Sequence, residues 1–368
     1  MNPPKTGDLD HIHFLVAAQK AFTCTEAARS HPDEEEGPAH DAFTRLLQRR
    51  PPDTEALWQE AEPAVEEGEG LLILDDTTLD KPYANEIEHV TWHWSGKHGE
   101  VVKGINLLTL LWRGSSEQSF EEPLEEGSSE DAGREPHVPC DFRLYEKDGK
   151  TKNEHFREMA ETASDREFDP EYVVFDSWYS GLDNLKKVRD LGWTFFTRLE
   201  KNRKVNPDDT YNRQIQEISI PEEGRKVHLK GFGFVKVFRT VSKNGDAEDE
   251  KTEENEEKKV RYWATNDLEM TEENREDLAR RAWGVETYHR KLKQHCGAER
   301  SQCRSAEAQH NHIQMSTFRC RSGRFCGWSY TAWRLRSAFM SRRPRSSEKR
   351  SAHIWPIQST FCPQVRKS

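Results

Sequence analysis

The chain has 368 residues, a net charge of −11 and seven scattered cysteines. Its length allows one large domain or two to three smaller ones, and no apolar run reaches the roughly 20 residues that a membrane-spanning helix needs. The chain does not begin with the apolar core of a signal peptide, and an odd number of cysteines argues against a disulfide framework, so we expect a cytoplasmic protein with no membrane partner.

Charge is distributed unevenly along the chain. The segment 316–368 carries twelve Lys and Arg against one acid, Glu348, so the rest of the chain is strongly acidic. Affinity for nucleic-acid phosphate comes from Lys and Arg. The acidic body leaves two interpretations: the protein does not bind DNA, or its basic residues are concentrated on one surface.

Residues 1–69 have the spacing of several short helices. Phe43, Leu46 and Leu47 recur at helical intervals, and the prolines at 51 and 52 end that helix. Short helices beside an Arg pair are typical of a helix-turn-helix DNA-binding module, and equally of a helical cap on a catalytic core. Both interpretations stay open for this region.

The apolar run 71–74 predicts a buried strand of a central sheet, which ends in Asp75 and Asp76. A carboxylate is not buried unpaired without a large cost in free energy. These acids are therefore either metal ligands or, because Asp-Asp-Thr also caps helices, the start of a helix. Alternation in 90–95 and the apolar run 101–112 predict antiparallel strands beside the first one.

A second apolar run, 172–175, repeats this design and ends in Asp176. A predicted helix follows at 183–190, and a further strand at 192–199. Alternating strands and helices favour an α/β layer around a central sheet.

A long helix is predicted from its cap at Thr271 to His295. Glu286, Arg290 and Lys293 are spaced i, i+4 and i+7, so they share one face of this helix. An acid beside basic residues suits a site that handles phosphate, but a surface Glu–Arg pair has the same pattern.

Three acids on separate elements form a set that none of them makes alone. Asp75, Asp176 and Glu286 are about a hundred residues apart in sequence, so only the fold can assemble them. Three carboxylates around one cavity repel each other unless cations lie between them, and such oxygen ligands suit Mg²⁺ or Mn²⁺. A pair of these ions suits phosphodiester chemistry, because it activates the nucleophile and stabilises the leaving oxygen.

Four motifs, taken in order, resemble those of a known family. They are Leu-Asp-Asp-Thr-Thr-Leu-Asp-Lys-Pro at 74–82, His-Trp-Ser-Gly-Lys-His at 93–98, Phe-Asp-Ser-Trp-Tyr-Ser at 175–180 and Trp-Gly-Val-Glu-Thr-Tyr-His-Arg-Lys-Leu-Lys at 283–293. Together they resemble the DDE transposases of bacterial insertion sequences, over about residues 10–315. The resemblance implies an RNase H-like α/β fold, in which helices flank a mixed sheet.

The resemblance also implies roles for individual residues. It implies a catalytic triad whose carboxylates bind two divalent ions, Mg²⁺ or Mn²⁺: Asp75, Asp176 and Glu286. The candidate contacts to DNA are Lys293, which matches the family's lysine seven residues after the glutamate, and the nearby Arg290 and Arg281. Asp75 is favoured over Asp76 as the first ligand, because it stands two residues before Thr77 and because alternation sends the two acids to opposite faces.

The chain departs from the family pattern in two places. Ala279 and Ala282 stand where related transposases often carry a Tyr and an Arg, with Arg280 and Arg281 beside them. The segment 316–368 is rich in Arg, Ser, Cys and Trp and does not resemble the family. It fits either a basic tail on DNA or a shifted reading frame.

These patterns divide the chain into five segments. We expect a helical N-terminal region that is a candidate for DNA binding (1–69), followed by the first part of the catalytic core (70–199). A β-rich insertion (200–266), a catalytic helix that completes the core (267–315) and an atypical basic tail (316–368) follow.

The expected activity is metal-dependent cleavage of double-stranded DNA at the ends of a mobile element, followed by strand transfer into target DNA. Because two ends are cut, we expect a homodimer or larger assembly on DNA. Two alternatives are an RNase H-like nuclease without strand transfer and a catalytically inactive, transposase-derived DNA-binding protein.

Overall fold

The computed structural model describes residues 4–18, 22–32, 37–49, 51–65, 70–95, 98–114, 137–242 and 259–322. Within these ranges the helices are α1 (Asp8–Ala17), α2 (Cys24–Arg29), α3 (His40–Arg49), α4 (Glu55–Ala61), α5 (Lys152–Asp165), α6 (Leu182–Asp190), α7 (Glu272–Ala282), α8 (Gly284–Gln294) and α9 (Ala306–Ser322). The strands are β1 (Gly70–Asp80), β2 (Thr91–Ser95), β3 (Glu100–Gly114), β4 (Val138–Leu144), β5 (Tyr172–Phe175), β6 (Phe195–Leu199), β7 (Lys204–Val205), β8 (Arg213–Gln214), β9 (Arg225–Leu229), β10 (Gly233–Ser242) and β11 (Lys259–Thr265).

Most of the strands form one mixed sheet that includes β1. The strand order is β2-β3-β1-β5-β6-β11-β10-β9, and β4 also pairs with β3. Strand β3 is antiparallel to β1, whereas β5 is parallel to β1 and β6 is parallel to β5. Helices pack on both faces of the sheet. The predicted mixed sheet flanked by helices is confirmed.

Side-chain alternation along β1 divides the core into two layers. Leu72 and Leu74 point into the layer that contains α5 and α6, whereas Leu71 and Ile73 point into the layer that contains α7, α8 and α9. Because both faces are covered, the first half of β1 is an unbroken apolar run. The same alternation sends the two acids that follow to opposite faces.

Strands β9, β10 and β11 of the segment 200–266 belong to the same sheet, whereas β7 and β8 pair with each other in a separate two-stranded sheet. Strand β11 pairs antiparallel with β6, and β10 and β9 follow it. Val235, Val237 and Tyr262 are buried in the core layer of α5 and α6. The segment therefore extends the central sheet, which sequence spacing alone did not indicate.

The helix predicted over 271–295 is two helices. Helix α7 ends at Ala282 and α8 begins at Gly284, with Trp283 between them. A Cβ at Gly284 would lie 1.9 Å from the ring of His137, so the close approach of this ring requires glycine at the junction. The prediction of one continuous helix was wrong, because the helix is interrupted at Trp283.

The N-terminal helices pack against the last helix. Phe14, Leu15 and Phe43 share a small core with Met315 of α9. The helical pattern predicted for 1–69 is thus matched by α1 to α4 in the described residues.

Helix α9 continues past the point at which the apolar periodicity of the sequence ends. It passes through Ser316 and ends at Ser322, and Cys320 is buried. The predicted basic tail beyond 322 and the segments 115–136 and 243–258 lie outside the described residues. Among the helices that the structure describes, none is both long enough and apolar enough to cross a membrane.

Candidate active site

The first two predicted acids lie side by side at one edge of the sheet. Strands β1 and β5 run parallel, and their last paired residues are Leu74 and Phe175. Asp75 and Asp176 are the next residues along each strand, and Asp176 then caps a short 3₁₀ turn over 177–179. Strand β1 continues to Asp80 through its pairing with β3, so the prediction that it ends at Asp75 and Asp76 was wrong. The fold brings together two acids that are distant in sequence.

Asp75 faces the core layer that contains α8. Its side chain is 19% exposed, and its Oδ2 lies 3.8 Å from Nδ1 of His289 on that helix. Burial raises the pKa of this carboxyl well above its usual range, and the charges of Asp76, Glu286 and Asp176 raise it further. Both other acids of the predicted triad are therefore within electrostatic reach of Asp75.

Asp76 points to the opposite face, where its carboxylate is engaged by three donors. Its Oδ2 accepts hydrogen bonds from Lys152 Nζ at 2.8 Å and from Asn106 Nδ2 at 2.6 Å, and its Oδ1 accepts one from the Tyr179 hydroxyl at 2.6 Å. Burial opposes ionisation of this carboxyl, but the Lys152 ammonium and the other donors outweigh it and lower the pKa of Asp76. Such a carboxylate anchors β1, which supports Asp75 as the ligand of the pair.

The start of α5 places the charged partner of Asp76. Thr151 and Glu154 form a capping box, in which the Glu154 N–H donates to the Thr151 hydroxyl and the Thr151 N–H donates to the Glu154 carboxylate. Lys152 is the first residue of this helix, and its Nζ also lies 5.9 Å from the ring centroid of Tyr145 and 6.0 Å from that of Trp178. The ammonium is thus held between Asp76 and two aromatic rings.

The side chain of Asp176 is more exposed to solvent than that of Asp75. Its side chain is 40% exposed, and its Oδ1 lies 3.2 Å from the guanidinium of Arg198. The same oxygen accepts a hydrogen bond from the Ser177 N–H. The Thr197 hydroxyl lies 3.3 Å from the backbone carbonyl oxygen of Asp176. Contacts from β6 and from the next residue hold this end of β5 in place.

Helix α8 lies along β1 and carries the third acid. Glu286 is exposed in its first turn, and Arg290 is exposed one turn later. Nζ of Lys293 lies 3.4 Å from the carbonyl oxygen of Thr78 on β1. At one end of the face predicted from the i, i+4, i+7 spacing Lys293 contacts β1, and at the other end the charge of Glu286 acts on Asp75.

Arg281, the remaining predicted DNA contact, lies elsewhere. Its side chain is 12% exposed, and its guanidinium pairs with Glu171 at 3.4 Å and with Asp277 at 3.7 Å. Glu171 precedes β5, whereas Asp176 follows it, so Arg281 lies towards the opposite edge of the sheet. The structure does not bring Arg281 to the acids, and two carboxylates already offset its charge.

Two buried residues of the site were not singled out from the sequence. His289 and Thr109 are each 2% exposed, and His289 Nε2 lies 2.8 Å from Thr109 Oγ1. Burial, reinforced by the charge of Lys293, lowers the pKa of His289 to about 3, so the ring is neutral at pH 7. A local signal existed in the i, i+3 spacing of Glu286 and His289, but no local pattern links residues 109 and 289.

The donor chemistry of the acids fits a hard divalent ion. Three carboxylates face one region, and their mutual repulsion contributes to the raised pKa of Asp75, which a bound cation would relieve. Within the described ranges, no three His, Cys, Asp or Glu side chains are placed as a ready-made metal site. The contacts of Asp176 with Arg198 and Ser177 compete with such a role for its carboxylate.

Comparisons with known proteins cover this whole region. A family model described as a transposase DDE domain matches residues 66–320, a range that includes Asp75, Asp176 and Glu286. No curated protein matches the chain. One solved structure that matches is the cryo-EM structure of a piggyBac transposase synaptic complex with hairpin DNA, with 10% sequence identity and a TM-score of 0.42, over 96% of this chain and 80% of that chain.

Proposed function

The chain belongs to the transposase DDE domain family, and from this membership we propose that it cuts DNA at the ends of a mobile element and joins the freed 3′ ends to target DNA. The enzyme is a transposase with endonuclease activity. One observation carries the proposal for its site: Asp75 and Asp176 directly follow the last paired residues of the parallel strands β1 and β5, and the charge of Glu286 acts on Asp75.

The proposed catalytic triad is Asp75, Asp176 and Glu286. Transposases of this family use divalent metal ions, and the carboxylate oxygens of these residues suit a pair of Mg²⁺ or Mn²⁺ ions. When bound, the ions supply the positive charge that activates the attacking hydroxyl and stabilises the leaving oxygen. The chain itself supplies three carboxylates, whose negative charges attract the ions.

Lys293 and Arg290 are the proposed contacts to the DNA backbone. A phosphate that approaches three carboxylates is repelled unless cationic side chains lie beside them. Both residues are on α8, on the face that carries Glu286, and Lys293 contacts β1 at Thr78. This face supports the interpretation that an acidic protein concentrates basic residues at its DNA-binding surface.

The proposed partner is double-stranded DNA, both as element ends and as target. We further propose a homodimer or larger assembly on DNA, because an element has two ends to be cut. A catalytically inactive DNA-binding derivative is the second candidate. Two alanines favour this inactive derivative. Ala279 and Ala282 stand at the positions where related transposases often carry a Tyr and an Arg, and both pack in the core layer that contains α8.

A plasmid integration assay tests the proposed reaction. Purified protein is incubated with Mg²⁺, a target plasmid and a donor plasmid that carries the gene with its flanking genomic sequence. We expect cuts at the element ends and joined donor–target products. Asp176→Ala should abolish both products but leave binding of end DNA intact, because it removes one carboxylate and keeps Lys293 and Arg290.

Each alternative predicts a different pattern in this assay. Nicked donor without joined products identifies a nuclease that lacks strand transfer. Binding of end DNA by the wild-type protein without cleavage in Mg²⁺ or Mn²⁺ identifies the inactive derivative. Cleavage by Asp176→Ala at the wild-type rate would contradict the assignment of the triad.

A further inference from the structure

Contacts among three side chains connect β3, α8 and β1 at the first acid. Thr109 pairs across the sheet with Asp75, and its Oγ1 lies 2.8 Å from Nε2 of His289. The other ring nitrogen, Nδ1, lies 3.8 Å from Oδ2 of Asp75. Because Thr109 and His289 are each 2% exposed, the protein itself sets the geometry of these contacts.

The single hydrogen of the Thr109 hydroxyl determines which imidazole nitrogen faces the acid. The Thr109 hydroxyl also lies 3.3 Å from the carbonyl oxygen of Asp75. If the Thr109 hydroxyl donates to the Asp75 carbonyl oxygen, Nε2 of His289 carries the ring hydrogen and donates to Thr109. Nδ1 of His289 then faces Asp75 with a lone pair, which repels an ionised carboxylate. If the hydroxyl donates to Nε2, the ring hydrogen is on Nδ1 and attracts Oδ2 of Asp75. Both arrangements use the 2.8 Å contact between Thr109 and His289, and we adopt the second because it places a hydrogen, not a lone pair, opposite Oδ2 of Asp75.

We propose that Thr109 and His289 are positioning residues that orient the Asp75 carboxylate as a metal ligand. The inference rests on the proposed function of the triad, and it assigns a role to two residues outside that triad. Outer partners of a metal ligand fix its rotamer, and their loss typically costs about 10- to 100-fold in metal affinity. The contact at 3.8 Å is longer than a hydrogen bond, and such contacts often tighten when an active site is assembled.

Asp75 needs a partner of this kind more than its neighbour does. Three donors hold the carboxylate of Asp76, whereas the other charges around Asp75 are carboxylates that repel it. His289 is one helical turn beyond Glu286 on α8. The contact of His289 with Asp75 therefore also sets the position of the helix that carries the third acid.

Metal affinity, measured in the full-length protein, tests this role. Thr109→Val removes the hydroxyl at nearly constant volume, and His289→Phe removes both ring nitrogens but keeps a ring. We expect each to weaken Mn²⁺ binding, measured by titration calorimetry, by about 10-fold or more. The Mg²⁺ concentration that gives half-maximal cleavage should rise in parallel, and Thr109→Ser should restore both values.

Thr317→Val is the matched control. The buried Thr317 hydroxyl donates to the Ile313 carbonyl at 2.9 Å within α9, so this variant loses a similar hydrogen bond at a residue that has no contact with the acids. It should lower the melting temperature without changing Mn²⁺ affinity.

The outcomes separate this inference from the proposed function. Unchanged Mn²⁺ affinity in Thr109→Val and His289→Phe, in a protein whose wild-type form binds Mn²⁺ and cuts DNA, overturns the positioning role alone. A wild-type protein that neither binds Mn²⁺ nor cuts DNA overturns the proposed function, and this inference with it.

Discussion

Asp75→Asn is expected to abolish DNA cleavage in a folded protein, whereas Asp76→Asn is expected to destabilise the protein and keep the chemistry. Loss of one charged member of a catalytic unit costs about 10³-fold or more in rate. Asp75→Asn should also raise the free energy of unfolding at neutral pH. Burial and the nearby carboxylates disfavour the ionised form of Asp75, and the amide relieves that cost.

Asp76→Asn should have the opposite effects, which are a lower free energy of unfolding and retained cleavage. Lys152 and Asp76 side chains are 19% and 18% exposed, and their 2.8 Å ion pair is largely shielded from water. Removing the carboxylate leaves the Lys152 ammonium without its counter-charge, which we expect to cost about 3 kcal/mol. At a temperature where the variant is folded, cleavage should be retained.

Urea unfolding and a cleavage time course on the two variants measure these effects side by side. The substitutions are chemically identical and one residue apart, so each is the control for the other. An active Asp75→Asn together with a stable, inactive Asp76→Asn would show that the first ligand had been assigned to the wrong acid.

The free energy of unfolding is expected to fall steeply as the pH drops below about 6.5, because several buried histidines are neutral in the folded protein. Burial lowers the pKa of His312 and of His310 to about 4 and that of His137 to about 3, and it holds the pKa of His11 well below its usual value. An unfolded histidine takes up its proton near pH 6.5. Stability is therefore complete above that pH and is lost as the pH falls towards the folded-state values.

Charged groups around these histidines mostly reinforce the shift. Cationic neighbours lower the pKa further: Arg113 and Lys291 at His137, Arg143 at His310, and Lys81 at His312, while Asp53 acts against it at His310. Each histidine contributes a slope of up to about 1.4 kcal/mol per pH unit. The raised pKa values of Asp75 and Asp141 have the opposite sign and reduce the total slope.

Urea unfolding from about pH 7.5 to about pH 4.5 measures this dependence. His310 packs against Phe142 with ring centroids 4.6 Å apart, so His310→Phe keeps an aromatic contact and removes one titrating group. The slope below pH 6.5 should decrease by up to about 1.4 kcal/mol per pH unit in this variant. A slope that His310→Phe does not change would contradict this account.

The elements that carry the acids were predictable because their determinants are local. The apolar runs at 71–74 and 172–175 lie in the buried strands β1 and β5, and an acid directly follows each run. Alternation separates Asp75 from Asp76 without any tertiary information. The same alternation assigns the even-numbered apolar residues of β1 to one core layer and the odd-numbered ones to the other.

Pairings between distant residues were not predictable in this way. With 55 Lys and Arg and 66 Asp and Glu, the sequence offers many candidate partners for any one charge, so the Lys152–Asp76 and Arg281–Glu171 pairs emerge only from the fold. The close approach of His137 to Gly284 likewise joins residues that lie more than a hundred positions apart in the chain. Local patterns contain no information about such contacts.

The central claim is that Asp75, Asp176 and Glu286 cut DNA because their carboxylates hold divalent ions directly. The most direct test is cleavage by Asp176→Cys in Mg²⁺ and in Mn²⁺. A thiolate is a softer ligand than a carboxylate and accepts Mn²⁺ better than Mg²⁺. We predict that Asp176→Cys is inactive in Mg²⁺ and regains cleavage in Mn²⁺, whereas Asp176→Ala is inactive with both ions. Cleavage by Asp176→Cys in Mg²⁺ at the wild-type rate would contradict the claim.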